Sequence, residues 1–223
     1  MIYYLVFIIT GYLLGSFLPA PFFGHLIKKK DIIVGTKDQN PGTANAFTQA
    51  GMFCGILTLL CDLCKGFIPV FLCFNLQNNP QSIPMESWYG MSPVGWNNWI
   101  SALGIALVLL APVLGHAFPL YHQFQGGKGI ATTFGCLLGY APNLFPALVL
   151  AFFFIFFSLV VRIQPHFYRT IVTYICATGI FFVWGENLAQ KLGFLLITVL
   201  VCVRMHLSRE ERGELKVGLL WMH

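Results

Sequence analysis

Uncharged apolar runs recur from one end of this 223-residue chain to the other, and they leave one broad class of fold open. A bilayer core of about 30 Å needs roughly 20 helical residues to cross it, and helices are favoured there because they satisfy their own backbone groups in hydrocarbon. Seven segments are candidate spans: Ile2 to Phe23, Gly51 to Phe74, Trp99 to Tyr121, Gly129 to Tyr140, Leu144 to Val161, Thr170 to Gly185 and Leu188 to Arg204. The fourth is too short to cross upright, because Ala141-Pro142-Asn143 interrupts the apolar stretch that continues to Val161, and a short, partly enclosed helix is expected there. Only 9% of the residues are charged, against roughly 25% in an ordinary soluble domain. The expected fold is all-α: a polytopic integral membrane bundle of about seven transmembrane helices, forming a single domain over residues 1–223.

Charge placement orients that bundle, since short loops rich in Lys and Arg stay in the cytoplasm. Lys28, Lys29, Lys30 and Lys37 follow the first segment, Lys128 the third, Arg162 and Arg169 the fifth, and Arg204, Arg209, Arg212 and Lys216 the seventh. Lys191 alone lies on the other side, although the loop from Asn75 to Asn98, with Trp88 and Trp96 near the expected interfaces, is the longest in the chain. The N-terminus is therefore expected outside and the C-terminus in the cytoplasm, a parity that requires the short fourth segment to cross. Met1 leads directly into the apolar run with no basic n-region, so the first segment is expected to be retained and not cleaved as a signal peptide.

All seven cysteines fall inside candidate spans, where they act as small apolar residues; Cys61 and Cys64 have CxxC spacing but no second pair and no nearby His. Neither a disulfide framework nor a metal site is expected. The remaining basic residue, Lys65, lies within the second span, three positions after Asp62, so the two side chains share a helical face and can pair. The pair is either a structural link facing the bundle, with a snorkelling Lys65 as a variant, or the lining of a polar site, because ionisable groups inside a membrane tend to mark function.

Two loops carry the remaining chemistry. Gly126-Gly127-Lys128-Gly129 lies between two long apolar segments. Neighbouring glycines allow backbone N–H groups to converge on an anion, Gly129 can open a helix, and Lys128 adds a full charge. The spacing is too short for a Walker A loop and no strand precedes it, so on the residues alone it is either an anion nest or a simple turn. The second loop runs from Lys28-Lys29-Lys30-Asp31 to Asn40-Pro41-Gly42-Thr43-Ala44-Asn45. Its lysines suit a topology signal and contact with anionic lipid. Its Asn and Thr groups suit a polyol or phosphate, or any ordered loop, and its position just before the second span could bring it beside the glycine-lysine loop.

Taken in order, YLLGS at Tyr12 to Ser16, NxGxxN at Asn40 to Asn45, DxxKGFIP at Asp62 to Pro69, GHxFP at Gly115 to Pro119 and GGKGxAT at Gly126 to Thr132 form a specific combination. It resembles the bacterial acyl-phosphate-dependent glycerol-3-phosphate acyltransferases, multi-pass enzymes of the inner membrane. The resemblance implies transfer of a fatty acyl group from acyl phosphate to the 1-hydroxyl of glycerol 3-phosphate, giving lysophosphatidic acid for phospholipid synthesis, without metal or other cofactor. It implies Lys128, His116 and Asn45 as catalytic residues. Substrate binding would fall to Asn40, Gly42, Thr43, Asp62, Lys65, Gly115, Gly126, Gly127, Gly129 and Arg204 or His206, with the site on the cytoplasmic side. His116 would either move a proton itself or leave that to the acceptor's own phosphate. Acyl phosphate, glycerol 3-phosphate and membrane lipid are the expected partners, and nucleic acid is not.

The chain departs from this pattern at several positions. Lys37-Asp38-Gln39 stands where the family has a serine and glycine run, Thr48 where an arginine is common, and Gln125 where a lysine precedes the glycines. The closing Arg-His motif is only partly matched by Arg204-Met205-His206. A carboxylate at position 38 would repel phosphate unless a neighbour such as Lys37 neutralises it; otherwise it points to solvent, serves as a base, or signals a different acceptor. An acyltransferase with another acceptor, and a non-catalytic membrane subunit or small-anion transporter, are the alternatives.

Overall fold

The structure, a computed structural model, describes residues 2–29, 31–34, 36, 38–78, 99–185, 187–208 and 212–220. Met1, Lys30, Gly35, Lys37, Trp88, Trp96 and Arg209, which entered the readings above, lie outside the described residues.

The described helices are α1 Ile2–Ser16, α2 Pro19–Lys28, α3 Thr43–Ala50, α4 Met52–Asn78, α5 Trp99–Ala117, α6 Ile130–Leu138, α7 Phe145–Ile155, α8 His166–Trp184 and α9 Leu188–Leu207. Among the described residues, five stretches are long and apolar enough to cross a membrane: Ile2–Lys28, Met52–Leu76, Trp99–His122, His166–Trp184 and Leu188–Leu207. The expected first span divides, because Leu18 is extended before Pro19, which opens α2. A residue before proline is pushed out of the helical region, whereas proline at the first helical position costs nothing. α6 is the short, enclosed helix expected from the Pro142 break, with Thr132, Thr133, Gly135, Cys136 and Leu137 buried. α7 continues through a π-helical turn, Phe156–Val160.

One small feature lies outside an all-α description. Strands β1 (Ile163–Gln164) and β2 (Lys216–Val217) pair antiparallel, and Leu220 N–H donates to the Val160 carbonyl at 3.0 Å, so the C-terminal segment folds back beneath α7 and α8.

Glycines set the close helix crossings. A Cβ on Gly15 of α1 would strike the Pro112 backbone of α5, and one on Gly115 of α5 would strike the Tyr12 carbonyl of α1. Likewise, Gly66 of α4 faces the Thr132 carbonyl and Gly135 of α6 faces the Leu63 carbonyl. Such small-residue contacts drive helix association in lipid, where apolar burial alone gives little preference for protein over hydrocarbon. The core of the α8–α9 side is aromatic: Phe181 meets Phe194 edge-on at 4.4 Å, and Tyr174 stacks on Phe194 at 5.8 Å. Outward-facing Leu5, Ile9, Leu60, Phe152, Val183 and Val199 are exposed, as lipid-facing side chains are.

Candidate active site

The α2–α3 loop folds around Asp38. Its Oδ1 accepts hydrogen bonds from the Asn40 N–H (3.3 Å) and from Asn45 Nδ2 (2.9 Å). Asn45 Nδ2 also donates to the Asn40 carbonyl at 2.7 Å, and the Gly42 N–H donates to the same carbonyl at 2.9 Å. These Asx-type bonds shape the turn that starts α3. A Cβ at Gly42 would meet the Asn40 side-chain amide at 2.9 Å, so that amide would have to shift.

The second wall begins where α5 ends. Gln123 and Phe124 take left-handed conformations, and Gly129 (φ 79°) caps α6, its carbonyl accepting both the N–H and the hydroxyl of Thr133. The Gly127 N–H donates to the His116 carbonyl at 3.0 Å. The expected nest of converging N–H groups is therefore modified: this donor is turned inward to hold the loop. The two glycine carbonyls face Arg204, whose Nε donates to Gly127 O at 3.2 Å and whose Nη2 donates to Gly126 O. Gly127 does not have positive φ; it is glycine because a Cβ would fall on His116 Nε2, as one on Gly126 would fall on the His116 carbonyl.

Beneath the loops lies a buried polar network. Lys65 Nζ is 2.8 Å from Asp62 Oδ1 and 2.8 Å from His116 Nδ1, and it donates to the Phe17 carbonyl at 2.8 Å. Lys65 therefore points inward and does not snorkel. The break after α1 exposes the Phe17 carbonyl, and a cation at a helix C-terminus is electrostatically favoured. His116 Nδ1 lies 3.4 Å from Asp62 Oδ1, while Asp62 Oδ2 accepts from Thr43 Oγ1 at 3.2 Å. His116 Nδ1 thus faces both the Lys65 ammonium and the Asp62 carboxylate, while Nε2 points toward Gly127. The network links Thr43 in the first loop to the floor of the second.

Both loops and the end of α9 open on one cavity of about 540 Å³, lined in part by Asp38, Asn40, Gly126, Lys128 and Arg204. Lys128 Nζ stands 3.2 Å from Asp38 Oδ2 across it. Burial raises the Asp38 pKa, but the Asn45 hydrogen bond and the Lys128 charge outweigh it and hold the carboxyl below its ordinary value. Asp38 thus points neither to solvent nor into isolation, and among the described residues Lys128 is the cation set against it; Lys37 lies outside them.

Of the residues implied by the sequence, Arg204 and not His206 reaches this cavity; His206 is exposed and its carbonyl accepts from Arg212. Gly115 serves the α1–α5 crossing. Tyr121, His122, Gln123 and Ser208 also line the cavity, and no motif spacing singled them out. Nor did it single out His166, at the start of α8, which feels the charges of Lys128, Arg169 and Asp38.

Comparison with known proteins gives concordant results. The sequence model of a family described as glycerol-3-phosphate acyltransferase matches residues 5–212. A glycerol-3-phosphate acyltransferase of Staphylococcus aureus (strain JH9) is 32% identical over 225 residues, covering 98% of both chains. One from Phytoplasma australiense is 32% identical over 142 residues, spanning 63% of this chain and 59% of that protein. Among solved structures, PlsY (YgiH), an integral membrane glycerol 3-phosphate acyltransferase, aligns in its lysophosphatidic acid form with a TM-score of 0.65 and 27% identity, over 90% of this chain and 87% of that one. Its glycerol 3-phosphate form gives 0.65, 26%, 91% and 88%.

Proposed function

The chain belongs to the glycerol-3-phosphate acyltransferase family, and we propose that it transfers a fatty acyl group from acyl phosphate to the 1-hydroxyl of glycerol 3-phosphate, giving lysophosphatidic acid and inorganic phosphate. The observation that carries this reading is the convergence of Asp38 to Pro41 from the first loop, Gly126 and Lys128 from the glycine-lysine loop, and Arg204 on one cavity. Two anions and one activated carbonyl require such a place, since an acyl phosphate is already a mixed anhydride and the protein has mainly to position the reactants and stabilise developing charge.

In the reaction, the acceptor oxygen attacks the acyl carbon, the tetrahedral oxyanion collapses, and the phosphate leaves with the C–O bond to it broken. Lys128 is placed to balance phosphate charge. Asn40, Thr43 and Asn45 order the acceptor side through the loop they build. Arg204 braces the glycine carbonyls and adds positive charge. His116, held at Nδ1 by Lys65 with its Nε2 toward Gly127, is suited to hold the loop, and the hydroxyl proton passes to the acceptor's own phosphate. Asp62 and Lys65 act beneath the site as positioning residues. The activated anhydride supplies the chemistry that a cofactor would otherwise provide.

The same reading places one transmembrane domain in the bacterial cytoplasmic membrane, with seven crossings, an outside N-terminus and a cytoplasmic site. Its support is the clustering of basic residues on one side of the apolar segments.

Purified protein in detergent, given long-chain or medium-chain acyl phosphate, should release inorganic phosphate in a glycerol 3-phosphate-dependent manner and form lysophosphatidic acid. Absence of acceptor-dependent release with both donors would overturn the proposal. The carboxylate of Asp38 in the acceptor loop favours one second reading, a different acceptor alcohol; turnover of another alcohol in a panel, with none of glycerol 3-phosphate, would establish it.

A further inference from the structure

Among the described residues lining the cavity, Asp38 is the one acidic side chain, and both of its oxygens are engaged. Oδ1 takes the Asn45 amide at 2.9 Å and the Asn40 N–H at 3.3 Å, and Oδ2 lies 3.2 Å from Lys128 Nζ. Lys128 is the group that the proposed function sets against substrate phosphate, and Asn45 builds the loop on the acceptor side. A carboxylate with an ammonium on one oxygen and amide donors on the other presents two anionic oxygens to donors that a bound phosphoryl group could also use. We infer that Asp38 is a specificity-determining residue: its carboxylate stands in the place of a substrate phosphate against Lys128 and Asn45, and a ligand must out-compete that carboxylate to bind.

The consequence follows from charge. Asp38, Lys128 and Arg204 together line the cavity with one net positive charge, and His166 is the further titratable group that feels the Asp38 charge. A phosphoryl dianion carries more charge and more acceptor oxygens than a carboxylate, so it can displace Asp38 from Lys128. A carboxylate-bearing alcohol such as glycerate exchanges like for like and gains nothing. Asp38 therefore admits phosphorylated alcohols, at some cost in affinity, and excludes carboxylated ones. Ionisation of Asp38 supports this, because the carboxyl is held below its ordinary pKa and is charged at neutral pH.

This inference rests on the proposed site but is tested without turnover. The binding of inorganic phosphate, glycerol 3-phosphate and glycerate to the full-length protein in detergent is measured calorimetrically for wild type, Asp38→Asn, Asp38→Glu and Lys128→Met. Asp38→Asn keeps an oxygen for Asn45 and Asn40 while removing the charge. It is expected to bind inorganic phosphate about tenfold or more tightly than wild type, the size of one unscreened charge contact, and to bind glycerate detectably. Asp38→Glu should return toward wild type, and in a Lys128→Met background the gain should vanish. Equal or weaker phosphate binding by Asp38→Asn, or a gain that persists without Lys128, would refute the inference. Should Asp38→Asn fail to fold, Asp38→Ser takes its place, with the same expected gain and the same refuting outcome. A gain in phosphate binding in a protein that never turns over glycerol 3-phosphate would leave the inference standing and sink the proposed reaction.

Discussion

At the scale of single residues, the site depends on groups whose roles are set by their neighbours. Lys128→Ala removes a preorganised charge from the cavity and is expected to lower the rate of acyl transfer by roughly 10²-fold or more, measured as phosphate release at saturating donor. Gly127→Ala is expected to be comparably severe, for a reason that sequence reasoning did not supply: its Cβ would collide with His116 Nε2. Combining Gly127→Ala with His116→Ala, which vacates that space, should recover folding measured by thermal melting; no recovery would show that backbone conformation is the true constraint. Asp38 gives a pH prediction. Its folded pKa is depressed below the ordinary 3.8, so the Asp38–Lys128 pair is fully formed above that value and is lost only as pH falls through the lower folded pKa. Wild type and Asp38→Asn should therefore have pH–rate profiles of the same shape between roughly pH 5 and pH 8, and a limb that disappears with the substitution would contradict it.

At the scale of helices and loops, the site is held by crossings that admit no side chain and by one buried ionic network. Lys65→Met strands the Asp62 carboxylate inside the α4 packing, which is expected to destabilise the fold by about 3–5 kcal/mol, as breaking a buried pair does. The paired change Asp62→Asn with Lys65→Met should cost less than Lys65→Met alone, read as melting temperature in detergent. Gly135→Val should separate α6 from α4, because its side chain would enter the Leu63 carbonyl. Since α6 starts at Gly129, that substitution is expected to depress activity as well as stability. How these elements were legible in the sequence differs from one to the next. The apolar runs and the Pro142 break act locally, so the helices and the shortness of α6 could be read directly. The division at Leu18 also had a local signal in Pro19, masked by the continuous apolarity around it. Arg204 and His206 could not be separated by motif, but helical phase separates them: two residues apart, they point roughly 200° apart, and only Arg204 faces the glycine loop.

At the scale of the whole molecule, the protein brings two distant loops to one end of a bundle, and the orientation proposed above is checked by fusing reporters to each terminus. A cytoplasmic signal from a C-terminal fusion and none from an N-terminal one is expected; the reverse would move the site to the other face. Composition and hydropathy were enough to determine a helical membrane protein, and five motifs in order were enough to suggest its family, because both are properties of consecutive residues. The sequence also placed Asp62 and Lys65 on one helical face, since three positions of helix fix that geometry. What only the tertiary structure decided is who faces whom between separate elements: that Lys128 meets Asp38, that Gly127 turns its N–H to His116, and that Lys65 finds the Phe17 carbonyl. Those contacts depend on how close α1, α4, α5 and α6 approach and on their rotation, which no local pattern encodes.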